Sequence, residues 1–178
     1  MALEQERETL LETGRLLLRP IDAGDEDGLV AIWGDAETMR FYPRPFERHD
    51  VRYWIGRNRE RYAEYRGGLF AVISKATGTL VGACGPIWQE VEDRRELEVG
   101  YHVRRDQWGQ GFATEAAKAC LAYGFERLNP PGRMISIIRP ENVASRRVAE
   151  KNGMTLAGRA FWRGYEHCIY QIARLFES

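Results

Sequence analysis

The spacing of hydrophobic positions changes near residue 69, and this change predicts mainly helices before that point and mainly strands after it. In residues 48–66, apolar and aromatic side chains recur every three or four positions and share one face of a helix. They are Val51, Trp54, Ile55, Tyr62 and Tyr65. The polar positions include Arg52, Arg57, Arg59, Arg61 and Arg66. Such a charged stripe is typical of a solvated helix face.

Short apolar runs bounded by turn residues predict the strands. The runs at 69–74 and 80–89 flank Lys75-Ala76-Thr77-Gly78, a turn sequence that predicts a β-hairpin. Asp25 is predicted to cap a helix, and residues 90–95 are predicted to form a charged loop. The whole prediction, in chain order, is strand 13–21, helices 22–35, 35–40 and 48–66, strands 69–74, 80–89 and 96–103, helix 112–127, strand 134–138, helix 144–151 with a left-handed end at Asn152-Gly153, and strands 155–162 and 167–175 around Gly164.

This order of elements predicts an α/β fold with a mixed sheet and helices on both faces. The length of 178 residues fits a single domain over residues 1–178, with residues 1–11 as a flexible or helical extension. The 26 basic and 26 acidic side chains cancel, which argues against a nucleic-acid partner bound by bulk charge. Because no apolar run approaches membrane-spanning length and residues 1–8 are polar, we expect a cytoplasmic protein without a membrane partner. The three cysteines are far apart and lie in no Cys/His cluster, so no metal site is expected.

Two glycines precede the predicted helix 112–127. The stretch reads Trp108-Gly109-Gln110-Gly111-Phe112-Ala113-Thr114-Glu115-Ala116. A helix start carries unpaired N–H groups and the positive end of the helix dipole, so it can bind phosphate. An ordinary turn also accounts for a Gly-x-Gly, and a nucleotide-binding domain is a further alternative. The stretch lacks both the Gly-Lys-Ser/Thr and the third glycine of the common nucleotide loops.

The same stretch resembles a known family. Gly111-Phe112-Ala113 resembles the second half of the Q/R-x-x-G-x-G/A loop of the GNAT superfamily of N-acetyltransferases, and the whole stretch is similar to the branch that acetylates N-terminal alanines of ribosomal proteins. Two further motifs match in order: Glu98-Val99-Gly100-Tyr101-His102-Val103 and Glu141-Asn142-Val143-Ala144-Ser145-Arg146-Arg147-Val148-Ala149-Glu150-Lys151-Asn152-Gly153-Met154. Trp108 departs from the family pattern, since it stands where the family usually has Gln or Arg.

The resemblance implies a GNAT fold with a mostly antiparallel sheet of about seven strands, splayed between the fourth strand, 96–103, and the fifth, 134–138. It also implies acetyl-CoA as cosubstrate. The backbone of His102 and Val103 would pair with pantetheine, and Asn142 would contact the cofactor through its amide. The N–H groups of Gln110, Gly111, Phe112, Ala113 and Thr114 would meet the pyrophosphate. Apart from the resemblance, a glycine inside the strand 96–103, Gly100, predicts a bulge or a close approach of a ligand.

Two side chains are candidates for the chemistry. Glu98 lies at the family's position for a catalytic base, although a structural salt bridge is an equal alternative. His102 is a weaker candidate base, since a strand histidine more often packs or forms hydrogen bonds. Many GNAT enzymes place a tyrosine where this chain has Ala149, so Ser145 is the candidate donor to the leaving sulfur. Its alternative role is a helix N-cap.

Together these features predict an acetyl-CoA-dependent N-acetyltransferase that acts on a primary amine by direct attack in a ternary complex. The acceptor is either a protein N-terminus or a small molecule, and a homodimer is compatible with the sequence. The loops at 41–46, 90–95 and 161–165, with the helix 48–66, would determine the acceptor. The alternative is a CoA-binding sensor module that has lost catalysis, because Ala149 replaces the tyrosine.

Overall fold

A computed structural model describes residues 9–174, and its eight strands form one sheet with helices packed on it. The strands are β1 (Leu11–Glu12), β2 (Leu16–Pro20), β3 (Phe70–Ser74), β4 (Leu80–Val91), β5 (Arg94–Val103), β6 (Arg133–Ile138), β7 (Thr155–Trp162) and β8 (Tyr165–Ala173). The helices are α1 (Glu26–Trp33), α2 (Arg48–Tyr65), α3 (Phe112–Tyr123) and α4 (Val143–Lys151), with short 3₁₀ segments at Ala23–Asp25 and Arg105–Gln107 and a π-helical turn at Gly124–Leu128.

The strand order is β1-β2-β3-β4-β5-β6-β8-β7. Each neighbouring pair is antiparallel except β5 and β6, which are parallel. This confirms the predicted mixed, mostly antiparallel GNAT sheet. The additional strand is β1, which begins at Leu11 inside the predicted extension. Residues 1–8 of that extension lie outside the described residues, as does residue 175 of the predicted last strand.

The splay lies where the sequence predicts it, between β5 and β6. The two strands share one register pair, Glu98 with Ile135, whereas β4 and β5 share ten. Beyond that pair the strands separate, and the Ser136 hydroxyl donates to the Val99 carbonyl at 2.9 Å. The parallel pair therefore opens toward the carboxyl end of β5, the end from which the loop leads to α3.

Side chains of β5 alternate between the two faces of the sheet. Leu97 and Val99 belong to the main core cluster, together with buried residues of α3 and Ala149 of α4. Glu98 and His102 point to the opposite face. On that face α1 and α2 cover β2 to β4 through a second buried cluster. The acidic and imidazole side chains of β5 thus share the face that carries α2.

Three local predictions were wrong, because side chains or pairing override the local pattern. Residues 35–40 form turns rather than a helix, since the Asp35 carboxylate accepts bonds from the backbone and hydroxyl of Thr38, both at 2.8 Å. Asp25 does not cap α1 with its side chain, because its carboxylate binds the Arg19 guanidinium at 2.7 and 2.8 Å. The predicted charged loop 90–95 is mostly strand, with a tight turn formed by Glu92 and Asp93 at positive φ.

Gly100 does not form a bulge with β4. The β4–β5 register runs without a shift through the pair Gly85 and Gly100. The close approach occurs on Gly85, where an added Cβ would lie 1.9 Å from the Gly68 carbonyl oxygen. The unpaired backbone groups of β5 result from the splay rather than from a bulge.

Candidate active site

The loop before α3 exposes a row of unpaired backbone N–H groups. Gly109 and Gly111 have φ of 76° and 80°, a left-handed conformation that favours glycine. Gly111 is the N-cap residue, and no side chain caps the helix. The first backbone bond runs from Glu115 N–H to the Gly111 carbonyl at 3.1 Å. Within residues 9–174, the N–H groups from Gly109 to Thr114 have no hydrogen-bond partner. Their number and the helix dipole fit an anion such as a diphosphate.

Arg15, the residue immediately before β2, holds this loop by two hydrogen bonds. Its Nη1 donates to the Gln110 carbonyl at 2.8 Å, and its Nε donates to Glu115 Oε2 at 2.6 Å. A peptide C=O and the following N–H point in opposite directions across the peptide plane. The Gly111 N–H is therefore directed away from Arg15. No local pattern predicts this contact, because Arg15 and Gln110 lie 95 positions apart.

The gap between β5 and β6 exposes a defined set of backbone groups. Arg104 N–H donates to the Val81 carbonyl of β4 at 2.8 Å, whereas the Val99 carbonyl accepts from Ser136 of β6. Because neighbouring residues of a strand direct their groups to opposite edges, Tyr101 and Val103 face the gap. The same alternation directs the backbone of His102 toward β4. Trp108 Nε1 donates to the Val103 carbonyl at 2.8 Å, so the indole fastens the loop to the end of β5.

Glu98 lies at the point where β5 and β6 separate, and its carboxylate is half-buried. Gln89 Nε2 donates to Glu98 Oε2 at 2.8 Å. Burial raises the pKa of Glu98, while hydrogen bonds from Gln89 and the Ile137 backbone and the charges of Arg163 and Arg61 lower it less strongly. Among residues 9–174 no basic side chain forms an ion pair with Glu98. A carboxylate in this state can accept a proton near neutral pH more readily than a solvated one.

His102 packs beside the aromatic residues that precede α2. Its Nε2 lies 2.8 Å from the Tyr42 hydroxyl, and its ring contacts Trp33 edge-on at 6.1 Å between centroids. Burial lowers the pKa of His102 to about 4, so the imidazole is neutral at pH 7. Tyr42 thereby joins the loop between α1 and α2 to the same sheet face as Glu98.

Asn142 and Ser145 start α4 across the gap from β5. Asn142 is the N-cap, because its Oδ1 accepts from Ser145 N–H at 3.1 Å; the alternative in which Ser145 caps the helix was wrong. The Tyr101 hydroxyl donates to the Ser145 carbonyl at 2.7 Å and joins β5 to α4. In the described part of the chain the Ser145 hydroxyl has no hydrogen-bond partner. Ala149 is 1% exposed and packs in the main core.

Residues 9–174 contain no group of three or more His, Cys, Asp and Glu side chains arranged to hold a metal ion. None of the helices in this part of the chain is both long and apolar enough to cross a membrane. Cys84, Cys120 and Cys168 are buried free thiols.

Comparison with known proteins adds a family and a set of relatives. The acetyltransferase (GNAT) domain model matches residues 15–155. The chain is 37% identical to the uncharacterized protein YkkB of Bacillus subtilis (strain 168) over 82% of this chain and 85% of that protein. It is 32% identical to the uncharacterized N-acetyltransferase p20 of Bacillus licheniformis, over 88% and 86% of the two chains. A crystal structure of a GNAT-family acetyltransferase from Bacillus anthracis has a TM-score of 0.76 and 26% identity, covering 92% of this chain and 97% of the other.

Proposed function

The chain belongs to the GNAT family of acetyltransferases, and from this premise we propose that it transfers the acetyl group of acetyl-CoA to a primary amine within a ternary complex, with Glu98 as the base. One observation carries the proposal. The unpaired N–H groups of the loop 109–114 lie beside the gap between β5 and β6, and Glu98 lies at the start of that gap. Unpaired N–H groups, a gap between two strands and a carboxylate with a raised pKa thus follow one another along β5 and the loop after it, which supports the proposal.

The cofactor contacts follow from this arrangement. The pyrophosphate would accept bonds from the N–H groups of Gln110, Gly111, Phe112, Ala113 and Thr114. The amides of pantetheine would pair with the backbone of Tyr101 and the N–H of Val103 in the gap, because the alternation of β5 favours them over His102 and the Val103 carbonyl already accepts from Trp108. Asn142 caps α4 with its Oδ1, which leaves its Nδ2 to donate to the cofactor.

The reaction assigns a separate group to each proton. Glu98 removes a proton from the acceptor ammonium, directly or through water, and the free amine attacks the thioester carbonyl carbon. The new C–N bond forms, the C–S bond breaks, and the thiolate leaves with the electron pair. The second proton is lost from the acylated nitrogen to solvent or to that sulfur, and the Ser145 hydroxyl would donate a hydrogen bond to the sulfur or relay this proton to it.

Two similarities to other proteins bear on the class of acceptor. The loop 108–116 resembles the branch that acetylates ribosomal proteins, which supports a protein N-terminus as one acceptor. The relatives named N-acetyltransferase support an amine acceptor in general. Both a protein N-terminus and a small-molecule amine are therefore candidate acceptors.

Thiol release from acetyl-CoA with a panel of amines and N-terminal peptides tests the proposal, with mass spectrometry of the products. Acetylation of at least one amine, lost in Glu98→Gln, is the expected result. Binding of acetyl-CoA without turnover of any amine or peptide would instead favour a sensor module.

A further inference from the structure

Two arginines lie near Glu98 without pairing to it. Arg61 comes from α2, and Arg163 comes from the turn between β7 and β8, so they approach from two different elements. The positive charges of both act on the Glu98 carboxylate, although neither forms an ion pair with it in the described residues. The Glu98 carboxylate therefore lies within electrostatic reach of two guanidinium groups that come from different elements.

Arg61 has an unsatisfied donor. Its Nη1 is buried and has no hydrogen-bond partner within residues 9–174. Its guanidinium lies over the Trp54 ring, 5.4 Å from the centroid. Arg57, one turn earlier on α2, instead pairs with Glu60. A buried guanidinium nitrogen without an acceptor is unfavourable, so the Arg61 Nη1 points to a ligand that supplies the acceptor.

Arg163 comes from the turn between β7 and β8 and is held there by an aromatic neighbour. It occupies a left-handed conformation with φ of 48°, and its guanidinium lies 4.3 Å from the Trp162 ring centroid. Trp162 is fixed in turn, because its Nε1 donates to the Glu90 carbonyl at 3.0 Å. Arg163 is exposed and forms no ion pair among the described residues. Its five donors are therefore free for an anion.

We infer that the acceptor is a primary amine that also carries an anionic group, held by Arg61 and Arg163 while its amine faces Glu98. This inference rests on the proposed function and names its substrate class. Carboxylates and phosphates both match the fork of a guanidinium group. A polyamine or aminoglycoside would bring further positive charge beside two arginines, so it should be a poor acceptor.

Matched acceptor pairs test the inference with the full chain. β-Alanine and β-alaninamide differ in a carboxylate, and O-phosphoethanolamine and ethanolamine differ in a phosphate. Each pair is compared by thiol release, with rates corrected for the fraction of free amine. We expect kcat/KM to be about 10- to 100-fold higher for the anionic member of at least one pair, as for a hydrogen bond to a charged group. The pair that responds distinguishes carboxylate from phosphate.

Arginine variants then test which side chains cause the preference for the anionic acceptor. Arg61→Met keeps an apolar stem over Trp54 and should reduce the preference toward unity by raising KM for the anionic acceptor. KM for acetyl-CoA should not change. Arg163→Met, in an exposed turn, should act in the same direction and provides a second test if Arg61→Met does not fold. Arg57→Met is the matched control on α2 and should keep the preference.

Equal kcat/KM within both pairs, or an undiminished preference in both arginine variants, would overturn the inference. Turnover of neutral amines or polyamines alone would also overturn it but leave the proposed function intact. Failure of every amine and peptide in the wider panel would instead refute the proposed function itself.

Discussion

The Arg15 guanidinium donates to the Gln110 carbonyl oxygen at 2.8 Å and joins the start of β2 to the loop before α3. The same guanidinium pairs with Glu115 and lies over the Phe112 ring, 4.7 Å from its centroid. These contacts fix the Gln110–Gly111 peptide so that its N–H is directed away from Arg15. We therefore expect Arg15 to act as a positioning residue for the proposed anion site.

Arg15→Gln should raise KM for acetyl-CoA several-fold while kcat and KM for the amine change little, because the loop loses its orientation but not its donors. Stability should fall by no more than about 1 kcal/mol, since the pair with Glu115 is half-exposed. Steady-state kinetics and urea unfolding measure the two effects. Arg159→Gln removes an exposed pair of the same 2.6 Å length on β7 and should leave KM for acetyl-CoA unchanged. An unchanged KM in Arg15→Gln as well would remove Arg15 from the cofactor site.

Gly111→Ala should weaken acetyl-CoA binding, because φ of 80° is unfavourable for alanine and the new Cβ would lie 3.4 Å from Arg15 Nη2. The cost to folding should be about 1–2 kcal/mol. Gly78→Ala is the control, since Gly78 has a similar φ of 67° in the β3–β4 turn and no atom near its added Cβ. Calorimetric titration with CoA should separate the two variants, and equal affinities would contradict an anion site at Gly111.

Glu98→Gln should lower kcat by about 10²–10⁴-fold, the usual contribution of a general base. In the native enzyme kcat/KM should fall as pH falls through the pKa of Glu98, which lies above its ordinary value of 4.5 because of burial. The pH–rate profile and the variant's residual rate check the assignment. A full rate in Glu98→Gln would show that the amine loses its proton to another group or to bulk water.

The same substitution should stabilise the fold at neutral pH. A folded-state pKa above the unfolded value means that the native protein binds more protons, so stability is lost as pH rises through the folded pKa. Glu98→Gln removes a group that is charged and partly buried at pH 7. Its free energy of unfolding should exceed that of the native chain at pH 7 and approach it near pH 4. The opposite order in urea unfolding would show that the Gln89 bond outweighs the burial of charge.

Much of the fold follows from local pattern, because most elements carry their own signal. The amphipathic helix α2, the β3–β4 turn and the helix start at Gly111 were all confirmed within a few residues. The wrong predictions occur where a side chain competes with the backbone for hydrogen bonds, as Asp35 does. They also occur where a charged segment forms a strand by pairing with a neighbouring strand, as in residues 90–95. Local periodicity contains neither kind of information.

The candidate site depends more strongly on long-range contacts. The loop and Glu98 could be named from motifs, and the loops 41–46 and 161–165 could be named as neighbours of the acceptor. The contacts of Arg15 and Tyr42 and the charge of Arg163 near Glu98 come from distant elements and have no local signal. No spacing rule connects Tyr42 with His102, which are 60 positions apart. The hydrogen bonds to β4 and β6 were also needed to show which neighbouring strand each backbone group of β5 faces. The alternation of side chains in the sequence does not contain this information.

His102 should make the fold sensitive to mild acid. Burial lowers its pKa to about 4, whereas an unfolded histidine titrates near its ordinary value of 6.5. Between these values the unfolded chain binds the extra proton, so the free energy of unfolding falls as pH falls, by up to about 1.4 kcal/mol per pH unit from this residue. Glu98 changes the free energy of unfolding in the opposite direction as pH falls. The contribution of His102 is therefore measured by comparing the pH dependence of a variant with that of the native chain.

His102→Gln keeps a hydrogen-bonding partner for Tyr42 but carries no proton, so its stability should fall less between pH 6.5 and pH 4.5. Urea unfolding followed by tryptophan fluorescence at pH 4.5, 5.5 and 7 measures the slopes. His49→Gln is the matched control, because His49 lies in the first turn of α2 with 70% of its side chain exposed. That variant should retain the native slope. If His102→Gln retained it too, the imidazole would be solvated in the native state, and its bond to Tyr42 would not persist in solution.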